Sequence, residues 1–322
     1  MKVLITGSHG FVGTNLIEIL SGEHEIIRWD VRSDVALPDC DAVIHLAGKA
    51  HDTRNTTLEE EYFKVNTELT KKMFDAFLIS EAKKFIFFSS IKAKDKDTAY
   101  AKSKKTAEDY IISHTDITEI TDSKTNTNCT HEISCDPLVA SDLRSSARHA
   151  RDDKGLARDD KKVYILRPCM IHGKGVKGNL PLLFDFVKKG LLWPLAAFEN
   201  KRSYVSMGNV AFVVSELLKK NVESGIYNIC DDDSMSTNDV IQLINKALER
   251  EAKMLNIPKP IVRFGAKIGD ALNLPLNTER LRKLTGDYVV DNCKIKYALG
   301  INHMPIKAED GLRYTIQEMI EK

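Results

Sequence analysis

Apolar residues near the start of the chain fall into short runs that alternate with segments of helical period. Residues 2–6, with Val3, Leu4 and Ile5 at their centre, predict a buried strand. Val12, Leu16, Ile19 and Leu20 share one face of a helix predicted over 11–20. A second strand is predicted over 24–30, ending in Asp30, and a third over 41–48, closed by Gly48. Phe63, Leu69, Met73 and Phe77 give 58–77 a helical spacing, and 85–88 is an apolar run that ends at Ser89-Ser90. Elements in this order predict an α/β fold, with a doubly wound parallel sheet covered by helices on both faces. The short stretch between Asp30 and Asp41 leaves one crossover abbreviated.

A helix is predicted over 98–113 and a strand over 162–167. Between them, residues 114–161 contain no Phe, Tyr or Trp and are rich in Asp, Ser and Thr. The segment ends in a tandem pattern, Ala150-Arg151-Asp152-Asp153-Lys154 and then Ala157-Arg158-Asp159-Asp160-Lys161. Such a composition buries little apolar surface, so the segment reads as a polar surface insertion, or else as a lid or partner-binding element. Beyond Gly173 helices are predicted over 179–189, 210–220, 236–250, 261–271 and 310–320, with a strand over 225–230. Ser236 or Thr237 would cap the third of these helices. The expected division is a main domain over 1–175, with 114–161 as its insertion, and a smaller, mostly helical cap over 176–322. Within the cap, 205–232 is expected to return to the main sheet.

Composition narrows the classes without naming one. At 322 residues the chain can bury a full core. Its 47 basic and 46 acidic side chains give no overall field for nucleic acid or an anionic membrane, although a local patch is compatible with them. No apolar run reaches the length of a membrane span. The N-terminus enters a strand pattern with no signal-like segment, so a cytoplasmic location is expected. Cys40, Cys129, Cys135, Cys169, Cys230 and Cys293 are scattered, without CxxC or His at zinc spacing, and neither disulfides nor a metal site is expected.

Candidate chemistry begins at Thr6-Gly7-Ser8-His9-Gly10-Phe11-Val12-Gly13, which joins the first predicted strand to the first helix. Glycines at that junction let the backbone turn tightly and approach a pyrophosphate lying against the positive end of the helix. Asp30, at the end of the second strand, suits the adenosine ribose hydroxyls and disfavours a 2′-phosphate, which selects NAD over NADP. Arg32 would soften that preference. Tyr100 and Lys104 are i and i+4 on the helix over 98–113, so they share one face. A neighbouring ammonium and an oxidised nicotinamide would both favour the phenolate, allowing Tyr100 to exchange a proton with a sugar or alcohol hydroxyl.

With the glycine loop, Ser89-Ser90 at a strand end and Tyr100-Ala101-Lys102-Ser103-Lys104 in place, the chain resembles an extended short-chain dehydrogenase/reductase. The family is that of the NAD-dependent epimerases and dehydratases acting on nucleotide sugars. The resemblance implies a Rossmann sheet with a smaller substrate-binding cap and covers nearly all of the chain outside 114–161. It implies that Ser90 hydrogen-bonds the reacting oxygen, that Tyr100 is the acid/base, and that Lys104 binds the nicotinamide ribose and tunes Tyr100. Gly7, Gly10, Phe11, Val12, Gly13, Asp30, Ala47, Gly48, Asn66 and Pro168 would line NAD. Asn179, Leu180 and Arg202 would hold the diphosphate of the substrate, a task suited to a guanidinium fork. Three departures stand out. Ser90 and Tyr100 lie closer in sequence than in most relatives; Met170 stands where many carry an Asn; and the insertion follows the catalytic helix, near where many relatives dimerise. A homodimer is therefore compatible with the resemblance but not specified by it.

Three reactions share this apparatus. A 4-epimerase passes through a transient 4-keto sugar, and a 4-keto-sugar reductase runs only the second half, yielding a deoxysugar. A 4,6-dehydratase needs an acid pair after the catalytic Ser, where this chain has Ile91-Lys92-Ala93, so dehydration is not expected. The leading expectation is a UDP-glucose or UDP-N-acetylglucosamine type 4-epimerase serving polysaccharide precursor synthesis, with the reductase as its alternative. A non-catalytic NAD-binding sensor and an alcohol or steroid dehydrogenase are the readings from other classes.

Overall fold

The computed structural model describes residues 1–31, 36–50, 58–95, 98–118, 160–272 and 277–321. The insertion expected over 114–161 lies outside the described residues from 119 to 159, as does Arg32. Within its described part the chain divides into two units. The first comprises Met1–Pro168, Ala211–Ile229 and Asn292–His303; the second comprises Cys169–Val210, Cys230–Asp291 and Met304–Lys322.

The first unit is organised by a six-stranded parallel sheet. Its strands are β1 (Lys2–Thr6), β2 (Glu25–Trp29), β3 (Ala42–His45), β4 (Lys84–Phe88), β5 (Lys162–Pro168) and β8 (Gly225–Ile229), in the order β2-β1-β3-β4-β5-β8. Parallel strands need crossovers that cover both faces, which is why β3 is buried throughout and β4 is buried from Phe85 to Phe88. Helix α1 (Phe11–Leu20) makes the first crossover, burying Gly13, Leu16, Ile17 and Leu20 at helical spacing. Leu4, Val43, Phe74, Phe77, Phe85, Phe87, Ile111 and Ile165 fill one face of the sheet. The strand order reverses between β1 and β3, the switch point where ligands bind in open α/β sheets.

The helix expected over 58–77 is interrupted. It runs as α2 (Glu59–Tyr62), a π-helical turn over Phe63–Glu68, and α3 (Leu69–Ile79). Periodicity alone misses this, because the wider turn sits where Asn66 and Thr67 are drawn inward by partners on helix α4 (Ala99–Ser113). A buried lysine closes the end of α3. Lys161 Nζ donates to the Phe77, Ser80 and Ala82 carbonyls, where unpaired helical carbonyls make a cation favourable.

The second unit has its own core and its own small sheet, which the expectation of a mostly helical cap did not include. Strand β7 (Arg202–Ser206) pairs in parallel with β6 (Met170–His172) and antiparallel with β9 (Ser234–Met235). Around it lie α5 (Asn179–Lys188), α7 (Thr237–Ala247), α8 (Lys259–Leu272), α9 (Thr278–Thr285) and α11 (Ala308–Ile320). Helices α6 (Met207–Lys219) and α10 (Cys293–Leu299) complete the described helices. Phe184, Trp193, Tyr204, Ile241, Ile244, Leu312 and Ile316 form the second core. Ser236 caps α7 in a reciprocal box with Asp239, which accounts for the helix starting where the sequence pattern placed it.

Candidate active site

The glycine loop follows β1, at the carboxyl end of the sheet. Gly7 has φ +66°, and a Cβ there would lie 2.8 Å from Ala47 N, so only glycine fits between the end of β1 and the chain leaving β3. A Cβ on Gly13 would meet Gly7 O at 2.4 Å, so this helix position must also be bare for α1 to close onto the loop. Gly10 is the N-cap of α1, and no side chain caps that end, an arrangement in which first-turn amides can receive a phosphate. Phe11 and Val12 open the helix and are half-buried. The pairing Thr6↔Trp29 is the last of that register, so exposed Asp30 follows β2 at the same end of the sheet at which the glycine loop follows β1. These residues fit a dinucleotide: bare backbone and helix amides for a pyrophosphate, and an acid one strand away for ribose hydroxyls.

Behind the loop runs a buried polar chain. Thr70 Oγ1 donates to Asn66 O at 2.7 Å, so it must accept from His45 Nε2, 3.0 Å away. His45 Nδ1 is then the acceptor for the Thr6 hydroxyl at 2.8 Å, and Thr6 Oγ1 in turn accepts from Leu46 N and Ala47 N. His45 is therefore neutral with its proton on Nε2. Burial, aided by the charge of Lys104, pushes it down to about 3. At the far end of the chain, Asn66 Oδ1 accepts from Lys49 N at 2.7 Å, and its amide donates to Lys49 O and to Ser103 Oγ. Gly48 lies in the same corner: a Cβ on it would stand 3.0 Å from Asn66 Oδ1 and 3.1 Å from Lys104 Nζ. One chain of side chains thus locks the turn carrying Ala47 and Gly48 to the glycine loop on one side and to α4 on the other.

Helix α4 carries Tyr100 and Lys104, the groups expected to handle protons. Thr98 caps it by accepting from Ala101 N. Tyr100, half-buried in the first turn, shares a hydrogen bond with Ser90; burial raises the phenol and that bond lowers it. Tyr62 packs edge-on to its ring, with centroids 5.9 Å apart. Ser90 follows β4 and caps a short 3-10 turn by accepting from Lys92 N at 3.2 Å. The neighbouring Ser89 hydroxyl is buried with no hydrogen-bond partner. Lys104 is buried, donates to Phe88 O at 2.9 Å and lies over the Phe87 ring, and burial pulls it down to about 8 while Glu108 opposes the fall.

Glu108 and Arg167 escaped the sequence reading. Arg167 Nε and Nη2 donate to the two Glu108 oxygens at 2.9 and 2.5 Å, a bidentate pair with almost no solvent exposure. It ties α4 to β5 next to Pro168, which is buried at the strand end. The spacing held one clue, because Glu108 sits four residues beyond Lys104 on the same helix face. His45 had none, since its partners Thr6 and Thr70 are 39 and 25 residues away.

The remaining candidates belong to the second unit. Asn179 is exposed in the first turn of α5 and Leu180 is buried beside it; the helix begins at Gly178, whose φ is +99°. Arg202 opens β7, donates to Lys283 O and places Nη2 4.0 Å from Met170 Sδ. Its Nε is buried without a partner, the kind of donor a ligand oxygen completes.

The model of the NAD dependent epimerase/dehydratase family matches residues 3–129. The UDP-glucose 4-epimerase of Vibrio cholerae is 27% identical to the chain, covering 99% of this chain and 96% of that protein. An N-acetyl-α-D-glucosaminyl-diphospho-ditrans,octacis-undecaprenol 4-epimerase of Escherichia coli O157:H7 is 23% identical, covering 92% and 84%. Among solved structures, UDP-glucuronic acid 4-epimerase from Bacillus cereus in complex with NAD superposes with a TM-score of 0.65 at 15% identity. It covers 100% of this chain and 99% of that one.

Proposed function

We propose that this protein, whose residues 3–129 match the NAD dependent epimerase/dehydratase family model, is a nucleotide-sugar 4-epimerase of the UDP-glucose or UDP-N-acetylglucosamine type. It is an enzyme that works with a nicotinamide cofactor. The observation that carries the proposal is the Ser90–Tyr100 hydrogen bond at the head of α4, with the buried Lys104 one turn below and the glycine corner of Gly48 against its ammonium. When bound, the cofactor supplies a hydride acceptor for the sugar C4 and a donor for the resulting ketone.

Ser90 holds the C4 oxygen, and Tyr100 takes the hydroxyl proton as the 4-keto sugar forms and gives it back when the ketone is reduced on its other face. Lys104 supplies the charge that lets Tyr100 work near neutral pH, since burial alone drives the phenol the wrong way. Asn66 holds Gly48 and Lys49 in place beside it, and Asp30 favours NAD. In the second unit Arg202, with Asn179 and Leu180, is assigned the diphosphate; both curated relatives named above carry their sugar on a diphosphate. A role in polysaccharide precursor synthesis, a cytoplasmic location and a homodimer belong to the same proposal.

The test is a proton NMR time course with UDP-glucose or UDP-N-acetylglucosamine, catalytic NAD and no reductant. Growth of the axial C4 isomer to a constant ratio supports the epimerase. Absence of conversion, together with cofactor oxidation when a UDP-4-keto sugar and a reduced nicotinamide are supplied, would replace it with the 4-keto-sugar reductase. Silence in both assays, with NAD still bound, would leave the non-catalytic sensor.

A further inference from the structure

Helix α8 is amphipathic, yet only part of its apolar surface is used by the fold. Val262, Ala266 and Gly269, at i, i+4 and i+7, are buried in the second unit. The adjoining stripe is Ile261, Phe264, Ile268 and Leu272, and these side chains are 61%, 66%, 41% and 65% exposed. Single exposed apolar residues are ordinary, but four large ones aligned along one helix form a continuous patch that marks an interaction surface.

The charges beside the stripe say what covers it. Arg263 and Lys267, one turn apart and exposed, border it on one side. Against these two cations α8 carries one acid, Asp270, whose carboxylate accepts from Thr278 N and Thr278 Oγ1 at the start of α9, so the face keeps a net positive charge. A large apolar stripe edged by cations is complementary to an anionic lipid surface, where the apolar side chains enter the acyl boundary and the cations stay at the phosphates. A second copy fits less well, because a two-fold contact through this face would set Arg263 and Lys267 against their own like charges. At about 21 Å for 14 residues the helix is too short to span a bilayer, so it would lie along the surface. No helix among the described residues is long and apolar enough to cross one.

We propose that the exposed face of α8 docks the protein on an anionic lipid surface. The near-zero charge of the whole chain conceals this local patch. The proposal is independent of the reaction, since none of these residues has been placed in the catalytic or binding machinery.

The experiment is flotation of the full chain with vesicles of phosphatidylglycerol and phosphatidylcholine, against vesicles of phosphatidylcholine alone. Wild type should float with the anionic vesicles and lose binding at high salt. Phe264→Glu with Ile268→Glu should fall to the level of the neutral vesicles while keeping its melting temperature. Arg263→Gln with Lys267→Gln should weaken binding by about five-fold for each charge removed. No flotation of wild type, or equal flotation of the Glu variant, would overturn the proposal. So would a dimer in gel filtration that the Glu variant dissociates without any vesicle binding, because a second copy would then cover the face. A catalytically dead Tyr100→Phe chain should float like wild type, which separates this test from that of the reaction.

Discussion

Helices α4 and α8 are of similar length and invert each other's chemistry. In α4 the inward face carries Ser103, Lys104 and Glu108 beside Ala101, Ala107 and Ile111, and all six are buried. In α8 the residues turned to solvent include Ile261, Phe264, Ile268 and Leu272. Both are regular helices, so helical period identifies which side chains share a face but not whether that face is dry. Polar groups tolerate burial in α4 because each meets a partner: Ser103 with Asn66 and Tyr100 O, Lys104 with Phe88 O, Glu108 with Arg167. Buried polarity in the first helix belongs to the proposed chemistry, and exposed apolarity in the second to the proposed association.

The comparison breaks most visibly at Tyr100. Tyr100→Phe should lower turnover by about 10²–10⁴-fold, the range for loss of a general acid/base, while dinucleotide titration shows binding nearly unchanged. Turnover near wild type would remove Tyr100 from the mechanism and leave α4 merely a packed helix.

Next in size is the ion pair below it. Glu108→Ala strands the Arg167 guanidinium in the interior and should cost about 3–5 kcal/mol in urea unfolding. Glu108→Leu combined with Arg167→Met should recover most of that loss, because the penalty arises from an unpaired buried charge rather than from the absence of the pair. If the single and double variants were equally unstable, packing rather than charge would be holding α4 to β5.

His45 sharpens the same point through pH. Its folded-state value lies near 3 against an ordinary 6.5, so between those values the unfolded chain holds a proton that the folded chain does not. Stability from this source is complete above about pH 6.5 and declines as pH falls toward 3. His45→Gln removes that titration. The stability difference between wild type and variant should narrow by about 2 kcal/mol from pH 7 to pH 5. A constant difference would mean that His45 titrates normally. The smallest effect belongs to α8: Phe264→Ser should leave unfolding free energy within about 0.5 kcal/mol of wild type, as for a surface position. A loss of several times that size would place Phe264 in a core and remove the basis for lipid docking.

Much of the first unit was legible from local pattern. The spans 2–6 and 11–20 coincide with β1 and α1, and the cap of α4 falls at Thr98, where the predicted helix begins. The glycine loop was readable because its constraint is local: a positive φ at Gly7 and the close approach of α1 admit only glycine. The Tyr100–Lys104 relation was readable because i and i+4 meet on any helix. The π turn around Asn66, the sheet formed by β6, β7 and β9, the Glu108–Arg167 pair and the neutral His45 were not. Their defining contacts join residues that the chain separates widely, 37 positions for Asn66 and Ser103 and 59 for Glu108 and Arg167. By itself the sequence determined most elements of the first unit, the parallel α/β order and which residues are candidates for the chemistry, since these depend on period, backbone freedom and side-chain type over a few neighbours. Only the tertiary structure decided which polar groups are dry and which apolar ones are wet, because burial is a property of what the rest of the chain brings alongside.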